Sequence, residues 1–385
     1  MKNLKKNVVQ SILISLMTIC LLFTGGCSVE VVQDLGEIRN SVLSMNEDTA
    51  EQVEDDRLQV QFLDVGQGSA TLLHQGNSWM LIDGGDRDYS SYVVSYLKKL
   101  GITSLDYVVA THYDSDHLSG LVGVLKNFEC KQILTADYKM DTKTYKAFWE
   151  VVKNKKIPVT YPKQKEEYPF ADSTLEIIGP AYYGYEDSNS NSIGIRIRYG
   201  ENTFLVCGDC TEESEQDLLY QRMDVDSDVF VVNHHGSKHS NTKEFIEAVS
   251  PDSAIISCGP GNDYGHPHAP VMLTLQEQGV ELYRTDLQGT ITAISDGETI
   301  TFKNKVCMDY RSGREIKEVP KKPDGLTDIE LETKIKYVLN ITTMKFHLPD
   351  CSSVEDIEEK NKEYSKGSRE SLIKQGYEPC KRCEP

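Results

Sequence analysis

The sequence predicts a mixed α/β domain in which two sheets pack face to face and helices cover their outer sides, an αββα sandwich. Two observations predict this fold. Helix-like and strand-like segments alternate over residues 57–305, and a segment of about 250 residues is long enough to bury a full core of its own. Polar residues follow several strand-like segments directly, so a site is expected along the edge where the loops of the sheets meet.

The first strands are marked by alternation and by turns. Residues 58–63 alternate apolar and polar side chains and run into a glycine-containing turn, and the segments 70–74 and 79–82 are predicted strands of a hairpin around residues 75–78. Further on, predicted helices at 92–100, 118–127, 144–153, 212–222, 242–249 and 270–278 alternate with predicted strands at 107–110, 132–134, 175–178, 192–199, 203–207, 229–232, 253–257, 282–284, 290–295 and 299–303.

One short motif carries the clearest chemical signal. His112, Asp114, Asp116 and His117 stand within six residues, directly after the apolar run 105–110. Imidazole and carboxylate groups that converge at the end of a buried strand are typical ligands of a two-metal site. A loop that only caps the next helix has no need of two histidines. The motif therefore predicts a metal centre that activates water for hydrolysis.

Four other motifs accompany this one. They lie at 62–70 (FLDVGQGSA), 80–85 (MLIDGG), 204–209 (FLVCGD) and 231–237 (VVNHHGS). In this order, the five motifs resemble the metallo-β-lactamase fold, and specifically the branch typified by the soluble domain of the competence protein ComEC. The resemblance covers about residues 57–305. It implies a metal-dependent hydrolase on a metallo-β-lactamase sandwich.

The resemblance also implies which residues hold the metal ions. One ion is expected on His112 and Asp114 and the other on Asp116 and His117, with Asp209 bridging them. The commoner form of the family has a histidine in place of Asp114, and a carboxylate there favours Mn²⁺ or Mg²⁺ over Zn²⁺, which stays an alternative. Two divalent ions are therefore the expected cofactors, and no nucleotide cofactor is expected.

The last metal ligand has two candidates. His235 matches the Gly-His pattern of many relatives and is the favoured ligand, whereas His266 matches the final histidine of the RNase Z branch equally well. Asp116 is the candidate for orienting the attacking water. His234 and His266 are the candidates for protonating the departing oxygen.

Further polar residues are expected around the metal ions. Asp64 and Asp83 are candidates for orienting the ligating imidazoles, or else for capping turns. No histidine lies between the first motif and the run 231–237, so Asn191 or Ser192 is expected to face the metal ions instead. Three more candidates for contact with the substrate are Ser237, Lys238 and His239.

The first 27 residues resemble a bacterial lipoprotein signal. Three lysines precede the apolar stretch 12–23, which is too short to span a bilayer comfortably, and Cys27 is the expected lipidated residue. Thr24 stands where leucine is usual, so an uncleaved anchor or a simple secretory signal is the alternative. Residues 28–56 are rich in acidic and polar side chains and predict a tether. The expected location is the extracellular face of the bacterial cell membrane, or else the medium.

Beyond residue 305 the pattern breaks. Residues 306–330 predict a linker, and residues 331–385 predict a small module with a hairpin at 337–346 and a helical stretch at 354–364. About sixty residues cannot bury a stable core without help.

Four residues of this module are candidates for binding a metal ion that stabilises it. His347, Cys351, Cys380 and Cys383 have the paired spacing of a structural zinc site. The spacing resembles the zinc-binding module of the Ada methyl-phosphotriester repair proteins, with His347 in place of a first cysteine. A Cys380–Cys383 disulfide is the alternative in an extracellular protein.

Composition restricts the substrates. The formal net charge of −19 repels polyanions, so a nucleic acid substrate would need metal ions and a local basic strip. Three functions are left: a membrane-anchored phosphodiesterase that acts on DNA or RNA; a hydrolase of a small phosphoester of the choline or teichoic-acid type, or of a lactone; and a non-catalytic nucleic-acid or cell-surface binding protein. The complete His/Asp motif argues against the third. No oligomeric state is predicted.

Overall fold

The computed structural model describes residues 56–316 and most of 337–383, with gaps at 349–350, 352, 355–356, 358–360, 366–368 and 375. The expected signal peptide with Cys27, nearly all of the tether and most of the linker lie outside the described residues. Within the described part of the chain, no helix has the length and apolar character needed to cross a membrane.

Fifteen strands build the larger part of the molecule. They are β1 (Leu58–Phe62), β2 (Thr71–Gln75), β3 (Ser78–Ile82), β4 (Ser104–Ala110), β5 (Glu129–Thr135), β6 (Val159–Thr160), β7 (Glu167–Phe170), β8 (Ser173–Gly179), β9 (Gly194–Tyr199), β10 (Asn202–Val206), β11 (Val229–Val231), β12 (Ser253–Ile256), β13 (Glu281–Arg284), β14 (Ile291–Ser295) and β15 (Ile300–Phe302). One sheet has the order β15-β14-β1-β2-β3-β4-β5-β6 and the other the order β13-β12-β11-β10-β9-β8-β7.

Seven helices lie between these strands. They are α1 (Ser90–Lys99), α2 (Ser115–Asn127), α3 (Lys143–Lys155), α4 (Glu212–Tyr220), α5 (Lys243–Val249), α6 (Ala269–Glu277) and the short α7 (Thr285–Gln288). Capping explains where some of them begin: the Thr142 side chain accepts a hydrogen bond from the Tyr145 N–H at the start of α3, and Thr242 does the same for α5.

The two sheets share one core. Leu72, Val108, Ile195 and Phe204, from strands of both sheets, belong to a single cluster of buried apolar residues. Leu205, the neighbour of Phe204, instead belongs to a second cluster with residues of α4, α5 and α6, because successive side chains of a strand point to opposite faces. The predicted αββα sandwich is confirmed. The strands β6 and β7 and the helix α7 are additions to the predicted elements.

The domain extends past the predicted boundary at residue 305. Residues 306–316 pack against it: the Cys307 N–H donates to the Leu282 carbonyl at 2.7 Å, and the Tyr310 hydroxyl donates to the Val280 carbonyl at 2.7 Å. The buried Arg284 donates to the Arg311 carbonyl at 2.6 Å. Because these contacts run through backbone groups, they leave no apolar periodicity in the sequence, and the start of the predicted linker at 306 is therefore too early.

A separate four-stranded sheet forms the described part of the C-terminal module. Its strands are β16 (Tyr337–Asn340), β17 (Lys345–His347), β18 (Lys362–Ser365) and β19 (Glu378–Pro379), in the order β18-β16-β17-β19, and its helix is α8 (Arg369–Lys374). The predicted hairpin is confirmed. The helical stretch predicted at 354–364 is wrong at its end, because 362–365 pair with β16 as a strand.

Strand direction positions the candidate site. β3, β4 and β5 run parallel in one sheet, and β10, β11, β12 and β13 run parallel in the other. Loops that follow parallel strands leave the sheet at the same edge. Most of the predicted ligands stand on such loops.

Candidate metal centre

The central residue of the cluster is Asp209, which follows β10 and is buried. Four histidines surround its carboxylate. The Nε2 atoms of His117, His235, His234 and His112 lie 3.0, 3.5, 3.7 and 4.0 Å, respectively, from the nearest Asp209 oxygen. Because these histidines come from segments that follow strands of both sheets, the sandwich itself brings them together.

The cluster resolves into two groups of three. His112, His117 and Asp209 form one group, and Asp116, His117 and His235 form the other; in each, the candidate ligand atoms lie within 4.8 Å of one another. His112 follows β4, and Asp116 and His117 lie in the first turn of α2. His117 is therefore shared between the groups, whereas the resemblance pairs it with Asp116 only.

The histidine rings are oriented by hydrogen bonds on their outer nitrogens. His117 Nδ1 lies 2.7 Å from an Asp83 carboxylate oxygen, and His235 Nδ1 lies 2.8 Å from the Ser257 carbonyl. Both partners can only accept, so each Nδ1 carries a hydrogen. The two Nε2 atoms then face each other at 3.3 Å, and their lone pairs converge. This is how imidazoles are held when they bind a metal ion.

Electrostatics in the cluster favour added positive charge. Burial opposes it, but Asp209 and Asp83 raise the pKa of His117 well above its usual value. In return, although burial disfavours the carboxylate, His117 and His235 hold the pKa of Asp209 well below its usual range. The buried carboxylates thus require cations, and divalent metal ions satisfy this requirement.

Unpaired atoms show that the residues fit metal ions. His112 Nε2 and Asp209 Oδ1 are buried side-chain atoms without a hydrogen-bond partner. Such groups are costly unless something not belonging to the protein satisfies them. Nitrogen and carboxylate donors without sulfur suit Zn²⁺, Mn²⁺ or Mg²⁺. Among the described residues, His117 is the one that belongs to both groups of candidate ligands.

Two predicted residues stand apart from the two groups. Asp114 precedes α2, and its carboxylate accepts a hydrogen bond from the Ser188 hydroxyl at 3.2 Å. The His266 ring lies 6.0 Å from the His235 ring and 5.6 Å from the His234 ring, between centroids. Of the two candidates for the last ligand, the geometry therefore favours His235.

The supporting residues divide by what they contact. Asp83 accepts hydrogen bonds from the Thr111 N–H and hydroxyl in addition to its contact with His117. Asp64 accepts from the Gly66 N–H at 3.3 Å, as a turn cap does. The Ser192 hydroxyl accepts from the Asp209 N–H at 3.2 Å. Ser192 therefore contacts a candidate ligand residue directly, whereas Asp64 supports a turn.

Asn191 does not face the cluster with free atoms. Its amide oxygen accepts from the N–H groups of Gly184 and Tyr185, and its amide nitrogen donates to the carbonyls of Tyr185 and Asp187. All its hydrogen-bonding capacity holds its own loop in place, so the prediction that Asn191 faces the metal ions is not supported by its geometry.

The predicted substrate contacts lie on one loop after β11. Ser237 is buried, and its hydroxyl accepts from the His239 N–H at 3.3 Å. Lys238 and His239 are exposed. This loop therefore places the side chains of Lys238 and His239 in solvent, close in sequence to His234 and His235.

A buried network that the sequence does not reveal holds this loop. The fully buried Glu215 accepts hydrogen bonds from the Asn233 side chain and from the N–H groups of Asn241 and Thr242. On α4 it appears as one of several acidic residues, and nothing in the sequence distinguishes it.

Backbone strain marks the same loop. His234 and His235 have φ angles of 49° and 56°, a conformation that costs non-glycine residues roughly 1–2 kcal/mol each. Strain of this kind occurs where function requires a fixed geometry, and here it directs two consecutive imidazoles toward Asp209.

The family model of the metallo-beta-lactamase superfamily matches residues 63–259, which is half of the chain. The chain belongs to this superfamily. The relationship predicted from the five motifs is thereby confirmed, and the superfamily is in general one of metal-dependent hydrolases.

Two curated bacterial proteins are similar to this chain. The chain is 28% identical over 252 residues to ComE operon protein 3 of Bacillus subtilis, covering 60% of this chain and 32% of that protein. It is 30% identical over 238 residues to Recombination protein 2 of Haemophilus influenzae, covering 60% of this chain and 28% of that protein. The chain thus spans about a third of the length of these relatives.

One similar solved structure is that of the metallo-beta-lactamase fold protein YhfI of Bacillus subtilis. It is 12% identical, with a TM-score of 0.40, and the match covers 59% of this chain and 96% of that one.

A second cluster lies in the C-terminal module. The candidate ligand atoms of His347, Cys351, Cys380 and Cys383 lie within 4.8 Å of one another, and none of these cysteines forms a disulfide. His347 Nδ1 is buried without a hydrogen-bond partner. Burial, followed by Cys351 and Cys380, raises the pKa of the Cys383 thiol to about 12. A bound cation would favour the thiolate of Cys383, and one histidine with three cysteines suits Zn²⁺.

Proposed function

We propose that this protein is a metal-dependent phosphodiesterase that acts on DNA outside the cell, held at the membrane by a lipid on Cys27. The observation that carries the enzymatic part is the convergence of four imidazoles on the buried Asp209 carboxylate. The name of one relative, Recombination protein 2, refers to a process that acts on DNA and supports DNA as the substrate. The N-terminal sequence features support the location.

Two divalent cations at this centre would activate a water molecule for in-line attack and neutralise charge on the phosphoryl oxygen. His112, His117, Asp209, Asp116 and His235 are the residues to hold them. The structure supports this role because both outer nitrogens of His117 and His235 are already occupied, leaving only the Nε2 atoms to bind.

Two side chains are candidates for orienting the attacking water and for protonating the departing oxygen. Asp116 lies in the first turn of α2 with its carboxylate 3.3 Å from His235 Nε2, within reach of a water between the two groups of ligands. His234 is the better placed of the two candidate acids, because its Nε2 lies 3.7 Å from Asp209 while its ring is partly exposed to an incoming substrate. The departing oxygen would take its proton there.

Two other functions remain to be separated from this one. A small phosphoester or lactone would use the same centre. A non-catalytic binding protein would not need converging lone pairs, and it is disfavoured by them.

The assay is hydrolysis of single-stranded DNA, double-stranded DNA and bis-(p-nitrophenyl) phosphate with Mn²⁺, Mg²⁺ or Zn²⁺. We expect hydrolysis of DNA and of the model diester in wild type. The exposed Asp172 supplies the control variant Asp172→Asn, which should match wild type. Hydrolysis of the model diester without any cleavage of DNA would point to a small substrate, and no hydrolysis with any metal would refute the proposal.

A further inference from the structure

One aromatic side chain beside the metal centre is exposed. Tyr264 keeps 63% of its surface in solvent, yet its ring stacks on that of His266, with centroids 5.5 Å apart and planes 14° from parallel. A ring held flat by one neighbour and open to solvent is available for stacking with another planar group.

The loop that carries Tyr264 is fixed in place. The Asn262 side chain accepts from the His266 N–H at 2.9 Å and donates to the carbonyls of His266 and Gly259 at 2.7 and 2.8 Å. Because these bonds brace both ends of the turn, Tyr264 presents its ring without first having to order the loop.

Cationic side chains gather on the same side. The Lys238 N–H donates to His268 Nδ1 at 3.0 Å, and the His268 ring lies 4.8 Å from that of His266. The Arg314 side chain lies so close to Gly265 that an added Cβ there would meet its Nε at 2.6 Å. Burial lowers the pKa of His268, and the charges of Lys238, Arg314 and His239 lower it further.

These charges are free to meet a ligand. Lys238 and Arg314 are exposed, and among the described residues neither forms an ion pair with a carboxylate. In a chain with a net charge of −19, a local group of unpaired cations next to the candidate metal centre attracts an anion that the rest of the surface repels.

We propose that Tyr264, Lys238 and Arg314 form a nucleotide subsite beside the metal centre, and that the preferred substrate is an unpaired DNA strand. The cations hold the phosphate next to the one at the metal ions, and a base stacks on Tyr264. Two ring contacts, Tyr264 to His266 and His266 to His235, connect the subsite to the metal centre. Stacking on an aromatic face is open to any base but requires it to be unpaired. This inference rests on the proposed function and names its substrate.

Matched oligonucleotides separate the two parts of the subsite. With single-stranded DNA, Tyr264→Ala should lower kcat/KM about tenfold or more, since stacking on one aromatic ring contributes that much, and Tyr264→Phe should keep the wild-type value. With an abasic strand of equal length, Tyr264→Ala should match wild type, whereas the double variant Lys238→Ala/Arg314→Ala should lose activity on both strands. The exposed Tyr220 and Lys99 supply the controls Tyr220→Ala and Lys99→Ala, with no expected effect.

Binding gives a readout that does not depend on catalysis. In fluorescence anisotropy with the labelled single strand, the full-length protein should bind more tightly than its Tyr264→Ala variant and more tightly than it binds duplex of the same length. Equal affinities of wild type and Tyr264→Ala, or a preference for duplex, would overturn the subsite even if hydrolysis is confirmed. Lack of hydrolysis with the binding difference intact would instead count against the proposed function.

Discussion

The two metal-ligand clusters of this protein are built in opposite ways. Around Asp209, nitrogen and oxygen ligands come from loops of two sheets that already share a large core. Around Cys351, sulfur dominates, and the core of the module comprises Tyr337, Leu339, Phe346 and Leu372 among the described residues. The first cluster is positioned by the fold, whereas the second must help to create it.

The hydrogen bonds made by the candidate ligands differ between the two clusters in the same way. In the first cluster, Asp83 and the Ser257 carbonyl orient the histidines from behind, so geometry is set before a metal ion arrives. In the second, Cys380 and Cys383 accept hydrogen bonds from nearby N–H groups, those of Arg382 and Leu348, which suit thiolates. We therefore interpret the first centre as catalytic and the second as structural.

The largest expected effect concerns the C-terminal cluster. An isolated fragment of residues 330–385 should be unfolded without metal and should fold on addition of one equivalent of Zn²⁺, because binding energy in small zinc domains, on the order of 10 kcal/mol, is largely folding energy. Circular dichroism during a zinc titration measures this. Cys351→Ser should abolish folding, whereas His347→Cys, which keeps four zinc ligands, should retain it.

The alternative for this cluster is a disulfide. Thiol titration of the unfolded, non-reduced fragment should find three free thiols. If two thiols are missing and the circular dichroism spectrum does not change with zinc, the fragment contains a disulfide. The C-terminal cluster would then not be a zinc site, and the contrast between two metal centres would fail.

The second largest expected effect is a difference in metal preference between the two clusters. The carboxylates of Asp116 and Asp209, with no sulfur among the candidate ligands, make the first centre harder than the C-terminal cluster, so hydrolysis should be faster with Mn²⁺ than with Zn²⁺. Dialysis should remove one of its ions readily while zinc stays on the cysteines. Metal analysis before and after dialysis, with turnover in each metal, provides the measurement. Two tightly held zinc ions at the first centre, with full activity and no added metal, would contradict this prediction.

A smaller effect is expected from the residue behind His117. Asp83→Asn keeps the size of the side chain but removes the charge that orients the imidazole, so metal affinity should fall about ten- to a hundredfold. Isothermal titration with Mn²⁺ measures it. The exposed neighbour Asp88 provides the control Asp88→Asn, and an unchanged affinity in Asp83→Asn would mean that His117 needs no support.

The sequence predicts the sandwich and most candidate ligands because both depend on local patterns. His112 follows a buried apolar run, and Asp209 and His235 stand at the ends of apolar strands, so each ligand is next to a recognisable element. The local sequence pattern does not show which histidine belongs to both groups of ligands. His117 lies between His112 and His235 only because α2 begins there.

Other features leave no trace in the sequence for stated physical reasons. Glu215 is a buried acceptor in an acidic helix, and two of its three partners are backbone N–H groups that any residue carries. The segment 306–316 is held by hydrogen bonds to backbone carbonyls, which every residue carries. The left-handed backbone at His234 and His235 depends on this surrounding network, and β18 depends on its pairing with β16.

The most direct test of a catalytic centre around Asp209 is the turnover of Asp116→Ala and Asp209→Ala on single-stranded DNA with saturating Mn²⁺, alongside circular dichroism. If these carboxylates hold the metal ions, both variants stay folded and fall below a tenth of wild-type turnover, an increase in the activation barrier of more than ~1.4 kcal/mol. If both folded variants keep more than a tenth, the metal ions are not held by these residues, and the assignment of the centre is contradicted.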